Sequence, residues 1–446
     1  MLEANRDIAC TLEGDVLSRF ERGEAPPSER SRVLTHLLSG CGSCSDRLRP
    51  AASLRKFADP APSIHRILSR VAEIELRLDA ENATADELWR DFQKHPSPRQ
   101  WTLLNNSARF NSLAFAERLL EAGLDAIYDD PHRALELNQM ALVVAVRLDA
   151  HQYGRGAAED LRGRIWARIA NSHRASSNLP AADSALATAA ELLQAGSGEP
   201  LAEAELWYFT ASIRRAQRRL DEAMVAIRRS RRIYRLLRDQ HLEGRSLLNQ
   251  AMIHEIQGDL DSAVVCTRKA LAQIDPKRDP KLCFAARHAF VWNLMCAGAA
   301  EEAQRELDAL KPTYLENGDR MVILRMHWLE GRIRRLRGDR ATAEASLRQA
   351  LDGFISAEIP YEAATVALDL SVLFAESGRT HELKPLAAEL VEVFQRLGVA
   401  REACAALLMF EAAARAEAVT LGFLSQLNDY LGRVRSQPGL VFSPKD

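Results

Sequence analysis

The sequence predicts an all-α fold, a right-handed solenoid of stacked helical hairpins preceded by a small helical module. Three observations carry that prediction. Gly258, Gly298, Gly338 and Gly378 stand 40 residues apart, and each ends a stretch of helical hydrophobic periodicity. Five residues after them come Ala263, Ala303, Ala343 and Leu383, so the turn and the following small or apolar position recur together. Ala, Leu, Arg and Glu dominate, while Pro and Gly gather between the periodic segments rather than within them. A compact domain has no need of turn residues at constant intervals. A solenoid demands them, because each unit must hand the chain to the next with the same rotation.

In chain order, residues 1–50 form a separate module. Pro26-Pro27-Ser28-Glu29 reads as a helix start with Pro27 near the first helical position, and the helix runs through Val33, Leu34, Leu37 and Leu38 to stop at Gly40. His36 falls in its last turn, Cys41 and Cys44 follow, and Cys10 returns from an earlier helix. Zn²⁺ favours tetrahedral sets of thiolate and imidazole, and a Cys-x2-Cys pair lets two thiolates reach one ion from a single turn. Cys10, His36, Cys41 and Cys44 are therefore the expected zinc ligands. Four protein ligands leave no open position, which makes the site structural, and chelation would fold a segment too short to bury its own core. The alternatives are an unliganded thiol pair with Cys10 as a small apolar residue, or a redox pair. Cys266, Cys283, Cys296 and Cys404 lie within helical pattern and read as core thiols.

Residues 51–110 read as a helical linker, 111–435 as the repeat solenoid and 436–446 as a disordered tail. The tetratricopeptide pattern is Trp, two residues, Leu-Gly, two residues and Tyr, then Ala, three residues and Phe. Trp166, Ile169, Ala170, His173, Ala182, Leu186 and Ala189 fit those places, with aliphatics replacing Phe. Trp207, Ala211, Arg214, Ala223, Ile227 and Ser230 fit next, and later units carry Ala251 and Ala263, Leu294 and Ala303, Gly331 and Ala343, then Ser371 and Leu390. Units around Ala134 and Ala141, and from Glu402 to Arg435, close the two ends. Small residues on both helices let them approach closely. A period of 40 rather than 34 implies longer helices or longer loops, and Gly196–Pro200 and Asp275–Pro280 look like such loops.

These residues make the array resemble tetratricopeptide-repeat proteins. The amino-terminal Cys10, His36-Leu37, Cys41 and Cys44 resemble the zinc-binding anti-sigma domains of bacteria over about residues 5 to 50. It departs in one respect: four residues rather than three separate His36 from Cys41. With Phe115–Leu120 and Asp130-Pro131 ahead of the first hairpin, the whole chain resembles bacterial proteins that join such a zinc finger to tetratricopeptide repeats. The resemblance implies that the zinc module binds an alternative sigma factor of RNA polymerase.

With 59 basic against 61 acidic residues the chain is almost neutral, so wholesale attraction to nucleic acid or an anionic membrane is not implied. The first residues lack a secretory pattern and no stretch approaches a membrane span, so a soluble cytoplasmic protein is expected. No phosphate-binding Gly-rich loop, His-Glu-x-x-His or Gly-x-Ser-x-Gly occurs, and no enzyme is expected.

In tetratricopeptide arrays the first helices of successive hairpins line a concave groove. By phase, Arg164, Asn171 and Arg174 face it from one hairpin, Tyr208 and Arg215 from the next, and Arg245 with Met252 from the third. His288 and Trp292 follow, then Arg325, Trp328, Arg332 and Arg335. Guanidinium groups beside aromatic faces suit an acidic peptide or protein tail. The alternative is a solvated face whose arginines pair with glutamates on neighbouring helices. A basic run, Arg228, Arg229, Arg231, Arg232, Arg235 and Arg238, lies on a second helix and faces outward. Two functions follow: a regulator that couples the zinc module to a sensed peptide or protein, or an interaction scaffold whose zinc knuckle only caps the solenoid.

Overall fold

The computed structural model describes residues 14–21, 25–26, 29, 32–33, 62–127, 130–396, 401–415, 417–434 and 440–444. Among them every regular element is a helix. The chain divides into two compact units, Met1–Ala80 and Glu81–Asp446. In the first, α1 (Gly14–Glu21) buries Val16 and Leu17 and aims Arg19 at Asp15 (2.9 Å) and Glu29 (2.8 Å). Cys10, His36, Cys41 and Cys44 lie outside the described residues.

The second unit starts from the end of α2 (Pro62–Gln93) and continues through α3 (Ser97–Asn106). Residues 81–110, expected to be linker, are instead part of this body. Phe92, Phe110 and Phe115 meet with ring centroids 4.9 to 5.3 Å apart, and Trp89 and Leu104 join the same core. These side chains follow no repeat register, which hides them in the sequence. Burying them removes the apolar end that the first hairpin would otherwise expose to water.

Seven hairpins follow among the described residues: α4 (Leu113–Ala126) with α5 (Pro131–Arg147), α6 (Arg155–Ala175) with α7 (Leu179–Ala195), and α8 (Pro200–Ala216) with α9 (Leu220–Leu236). Then come α10 (Gln240–Gln257) with α11 (Leu260–Gln273), α12 (Pro280–Cys296) with α13 (Ala300–Asn317), α14 (Arg320–Leu336) with α15 (Arg340–Ser356), and α16 (Pro360–Glu376) with α17 (Leu383–Arg396). The long period comes mainly from the helices. The α8, α9, α14, α15 and α16 helices each have 17 residues, and links such as 217–219, 237–239 and 337–339 are only three residues long.

One residue in each short link is left-handed. Ser177, Gly198, Arg218, Arg238, Gly258, Gly298, Gly318, Gly338, Glu358 and Gly378 have φ between 57° and 81°. Only some are glycine, so the sequence shows the spacing imperfectly. The left-handed residue lets the chain close a Schellman turn: Arg219 N–H donates to the Arg214 carbonyl (2.9 Å), Asp239 to Tyr234 (3.1 Å), Asp259 to His254 (3.0 Å) and Arg379 to Phe374 (2.8 Å). In the Asp239, Asp259, Asp319 and Asp339 links the next residue then caps the following helix, its carboxylate accepting from Leu242, Ser262, Val322 and Thr342 N–H.

The small-residue prediction holds. Ala170, Ala211, Ala251 and Ser371 on first helices, and Ala182, Ala223, Ala263, Ala303 and Ala343 on second helices, have no exposed surface. At Gly331 an added Cβ would stand 2.6 Å from the Leu347 side chain and 3.1 Å from the Ala343 carbonyl oxygen, so only glycine leaves room there.

After α17 come α18 (Arg401–Arg415) and α19 (Leu421–Val434). The tail expected to be disordered is described from 440 to 444, and there it is packed. Phe442 is buried, with its ring 5.8 Å from Phe423 and 5.2 Å from Tyr430, and Tyr430 Oη donates to the Leu440 carbonyl (3.0 Å). One aromatic anchor in a polar segment carries too little periodicity to announce itself.

The turn geometry makes an opposed pair of expectations. Gly338→Ala places a Cβ in the left-handed region and lowers stability by about 1 kcal/mol, whereas Arg218→Gly removes that strain and raises it by about 1 kcal/mol. Urea unfolding midpoints of the two variants check this; shifts of the same sign would refute the link geometry.

Candidate ligand-binding face

Successive first helices touch one another from α6 through α16, while each second helix packs against its own first helix and the first helix of the next hairpin. First helices therefore line the inner side of the array. The predicted groove residues fall on them, and most are tied across the helix boundary to a partner about one repeat away.

The amino-terminal part of this face is organised around Glu205 on α8, which is 6% exposed. Arg168 Nε donates to it at 2.8 Å and Arg164 lies 3.5 Å away, while Arg164 also grips Glu117 of α4 through both terminal nitrogens at 2.6 and 3.1 Å. Arg245 lies over the Tyr208 ring at 4.3 Å and donates to Tyr234 Oη at 3.3 Å. Burial pushes the Glu205 carboxyl up, but Arg168, Arg164 and Arg245 outweigh burial and hold it below the usual carboxylate range. Burial likewise disfavours the charge on Arg164, and Glu205 and Glu117 more than offset it.

Farther along, Arg215 Nε donates to Asn249 Oδ1 (3.2 Å), whose amide nitrogen donates to Ser212 (2.8 Å). Asn171 is buried and accepts from Arg174 Nε at 2.8 Å. His288 bonds through Nδ1 to the buried Tyr314 hydroxyl. Arg325 is exposed, and Met252 is partly so.

The carboxy-terminal part is aromatic. Trp292 Nε1 donates to Glu255 (2.8 Å), Trp328 Nε1 donates to Asp369 (2.6 Å), and the two indoles meet edge to face at 6.2 Å. Arg332 lies over Trp292 at 4.7 Å and 3.6 Å from Asp369, and Arg335 pairs with Glu376 at 2.6 Å. Glu117, Glu205, Glu255, Asp369 and Glu376 were not singled out in the sequence. Their signal is there: Arg164 and Glu205, Trp328 and Asp369, and Arg335 and Glu376 each stand 41 residues apart. The face is thus a firmly held strip of rings and charges rather than a bare row of cations.

The outward basic run is partly occupied. Arg229 lies over Trp207 at 4.6 Å, Arg231 donates to Gln250 at 2.7 Å and Arg235 to Glu243 at 3.0 Å, while Arg228 and Arg232 are exposed. The four array cysteines are free thiols, and burial raises those of Cys266 and Cys296, the latter to about 11. Among the described residues no group of three or more His, Cys, Asp or Glu could hold a metal ion, and no helix is long and apolar enough to cross a membrane.

Two expectations follow from the buried groups. Removing the Glu205 charge leaves Arg164, Arg168 and Arg245 without their shared counter-ion, so Glu205→Gln costs about 3 kcal/mol in urea unfolding, and a midpoint unchanged from wild type would contradict this. Burial and the Arg325 charge lower His288 from 6.5 to about 4. A lowered histidine is neutral in the fold and charged in the unfolded chain between those values, so its stabilisation is complete above the unfolded value and declines as pH falls from about 6.5 toward about 4. His288→Asn flattens the stability profile over that window, which a series of unfolding curves will show.

No family model matches the chain, and no curated protein does. Solved structures do. A Rap protein complexed with competence and sporulation factor aligns with 72% of this chain and 87% of its own, at 12% identity and a TM-score of 0.53. The apo form of RapI gives the same coverage, identity and score. Aspartyl phosphate phosphatase F from Bacillus subtilis aligns over 88% of this chain and 97% of its own at 12% identity, with a TM-score of 0.48. At such identities the first two establish a shared fold and nothing of chemistry: this chain has a tetratricopeptide-like helical-repeat fold of the kind those structures display.

Proposed function

We propose that the protein is a non-catalytic regulator that binds a peptide or protein segment along the inner face of its first helices. The observation that carries this reading is the strip itself. Rings and hydrogen-bonding groups from α6 to α16 are fixed in place by interhelical bonds, so little side-chain freedom remains to be lost on binding. Such a mixed surface suits a polypeptide, which presents donors, acceptors and apolar side chains together. Arginines 164, 168, 215, 245, 325, 332 and 335 outnumber the carboxylates of Glu117, Glu205, Glu255, Asp369 and Glu376, which favours an acidic segment. The fold shared with a Rap protein that is complexed with competence and sporulation factor supports the same reading.

The reading extends to the amino-terminal module. Cys10, His36, Cys41 and Cys44 offer three thiolates and an imidazole, a donor set suited to structural Zn²⁺. The resemblance to anti-sigma domains makes a sigma factor the partner of that module, and the alternative is a cap for the solenoid.

Two measurements test the parts separately. Replacing Arg215, Arg332 and Arg335 together with Glu reduces binding of a fluorescein-labelled glutamate-rich peptide by at least about tenfold while the helical circular dichroism is retained; unchanged affinity would remove the groove proposal. Metal analysis finds about one equivalent of zinc in the reduced wild type and much less in Cys41→Ala. Less than about half an equivalent in the wild type defeats the zinc site.

A further inference from the structure

The last hairpin of the array is open. In each earlier unit the second helix packs against its own first helix, but α19 makes its main contact with α16 and only a slight one with α18. Leu424, Leu427, Leu431 and Val434 are buried in the carboxy-terminal core, so α19 is a fixed wall rather than a loose end. It stands over the side of α16 that carries Asp369 and Glu376, which is the side that meets Arg332 and Arg335 of α14. Between α14, α16 and α19 a cavity of about 320 Å³ remains, to which α19 contributes Leu421, Leu424, Ser425 and Asn428.

This arrangement has a topological and a chemical consequence. A chain lying along the inner face toward α16 meets α19 across its path. The wall that α19 makes with Leu421, Leu424, Ser425 and Asn428 gives a chain end a place to stop. The polar groups then select which end. Asp369 already accepts from Trp328 at 2.6 Å and Glu376 is engaged by Arg335 at 2.6 Å. Arg332, by contrast, makes no hydrogen bond; it has a 3.6 Å ion-pair contact with Asp369 and lies over Trp292. Arg332 therefore brings unused donors to the cavity, and a guanidinium with unused N–H groups recognises a carboxylate. Leu368, Val372 and Leu421 supply the apolar part. The volume equals about ten waters at ~30 Å³ each, enough for one apolar residue with its terminal carboxylate.

We infer that the cavity between α14, α16 and α19 captures the carboxy-terminal residue of the bound peptide, with its free carboxylate on Arg332. The inference rests on the inner face being a peptide site, and it narrows the ligand class to free peptides and protein tails that end in the groove.

The test uses the full chain, immobilised and exposed to one randomised octapeptide pool prepared in two forms, with a free carboxylate and with a terminal amide, and retention is read by mass spectrometry. The free-acid pool is retained at least about tenfold more than the amide pool. That advantage disappears in Arg332→Gln and also in Ser425→Trp, whose indole fills the cavity from α19, while both variants keep the helical circular dichroism of the wild type. Equal retention of the two pools overturns carboxylate capture and leaves the inner-face reading standing. Retention of neither pool removes the inner-face reading and the capture with it.

Discussion

Between most helices of the array the chain reverses within three residues, one of them left-handed, and the rest of the molecule depends on that link. A residue at positive φ lets the amide after it reach back to the carbonyl five residues earlier, closing one helix and releasing the chain toward the next. The links at 218, 238, 338 and 358 share this left-handed residue, so the chain reverses in the same way at each and the register repeats. Small buried residues then stand at the helix crossings, and at Gly331 a side chain would collide with Leu347. An L-residue in this conformation costs about 1 to 2 kcal/mol, and Arg218, Arg238 and Glu358 bear it because the packed helices on either side leave no other path.

The same register places polar residues one repeat apart side by side on the inner face. Charges there leave water, which is costly by several kcal/mol per ion unless each is matched. Glu205 shows how the matching is done: three arginines from two helices surround a single carboxylate, and their attraction exceeds its desolvation. Asp369 plays the corresponding role near the other end, where an indole N–H and Arg332 converge on it. Neighbouring hairpins are thus joined by directional bonds as well as by apolar area. A face stiffened in this way keeps its rings and guanidinium groups positioned without a ligand.

At the carboxy-terminal end the repeat gives way. The α18 helix still packs on α17 as a first helix should, but α19 leaves the hairpin and returns to α16. Leu424, Leu427 and Leu431 find their burial there. The residues between α18 and α19, including Glu417 at φ 57° and the Thr420 hydroxyl that accepts from Phe423 N–H, redirect the chain. The solenoid therefore ends with its inner face partly walled.

Read alone, the sequence determined the helical class, the repeat, the small residues at the helix crossings and the first helices that carry Arg164, Tyr208, Trp292 and Arg332, because a repeating backbone rotation forces a repeating residue pattern. It also supplied the cysteine and histidine spacing of the amino-terminal module, which lies outside the described residues. It did not reveal the aromatic cluster of Phe92, Phe110 and Phe115, the left-handed arginines and glutamates, the carboxylates that pair with arginines on the inner face, or the return of α19. Those features depend on contacts between residues with no common period, or on one residue tolerating a strained angle that its neighbours impose. Periodicity reports which face of a helix is buried; only the packed tertiary structure decides which charge meets which, and where the array stops.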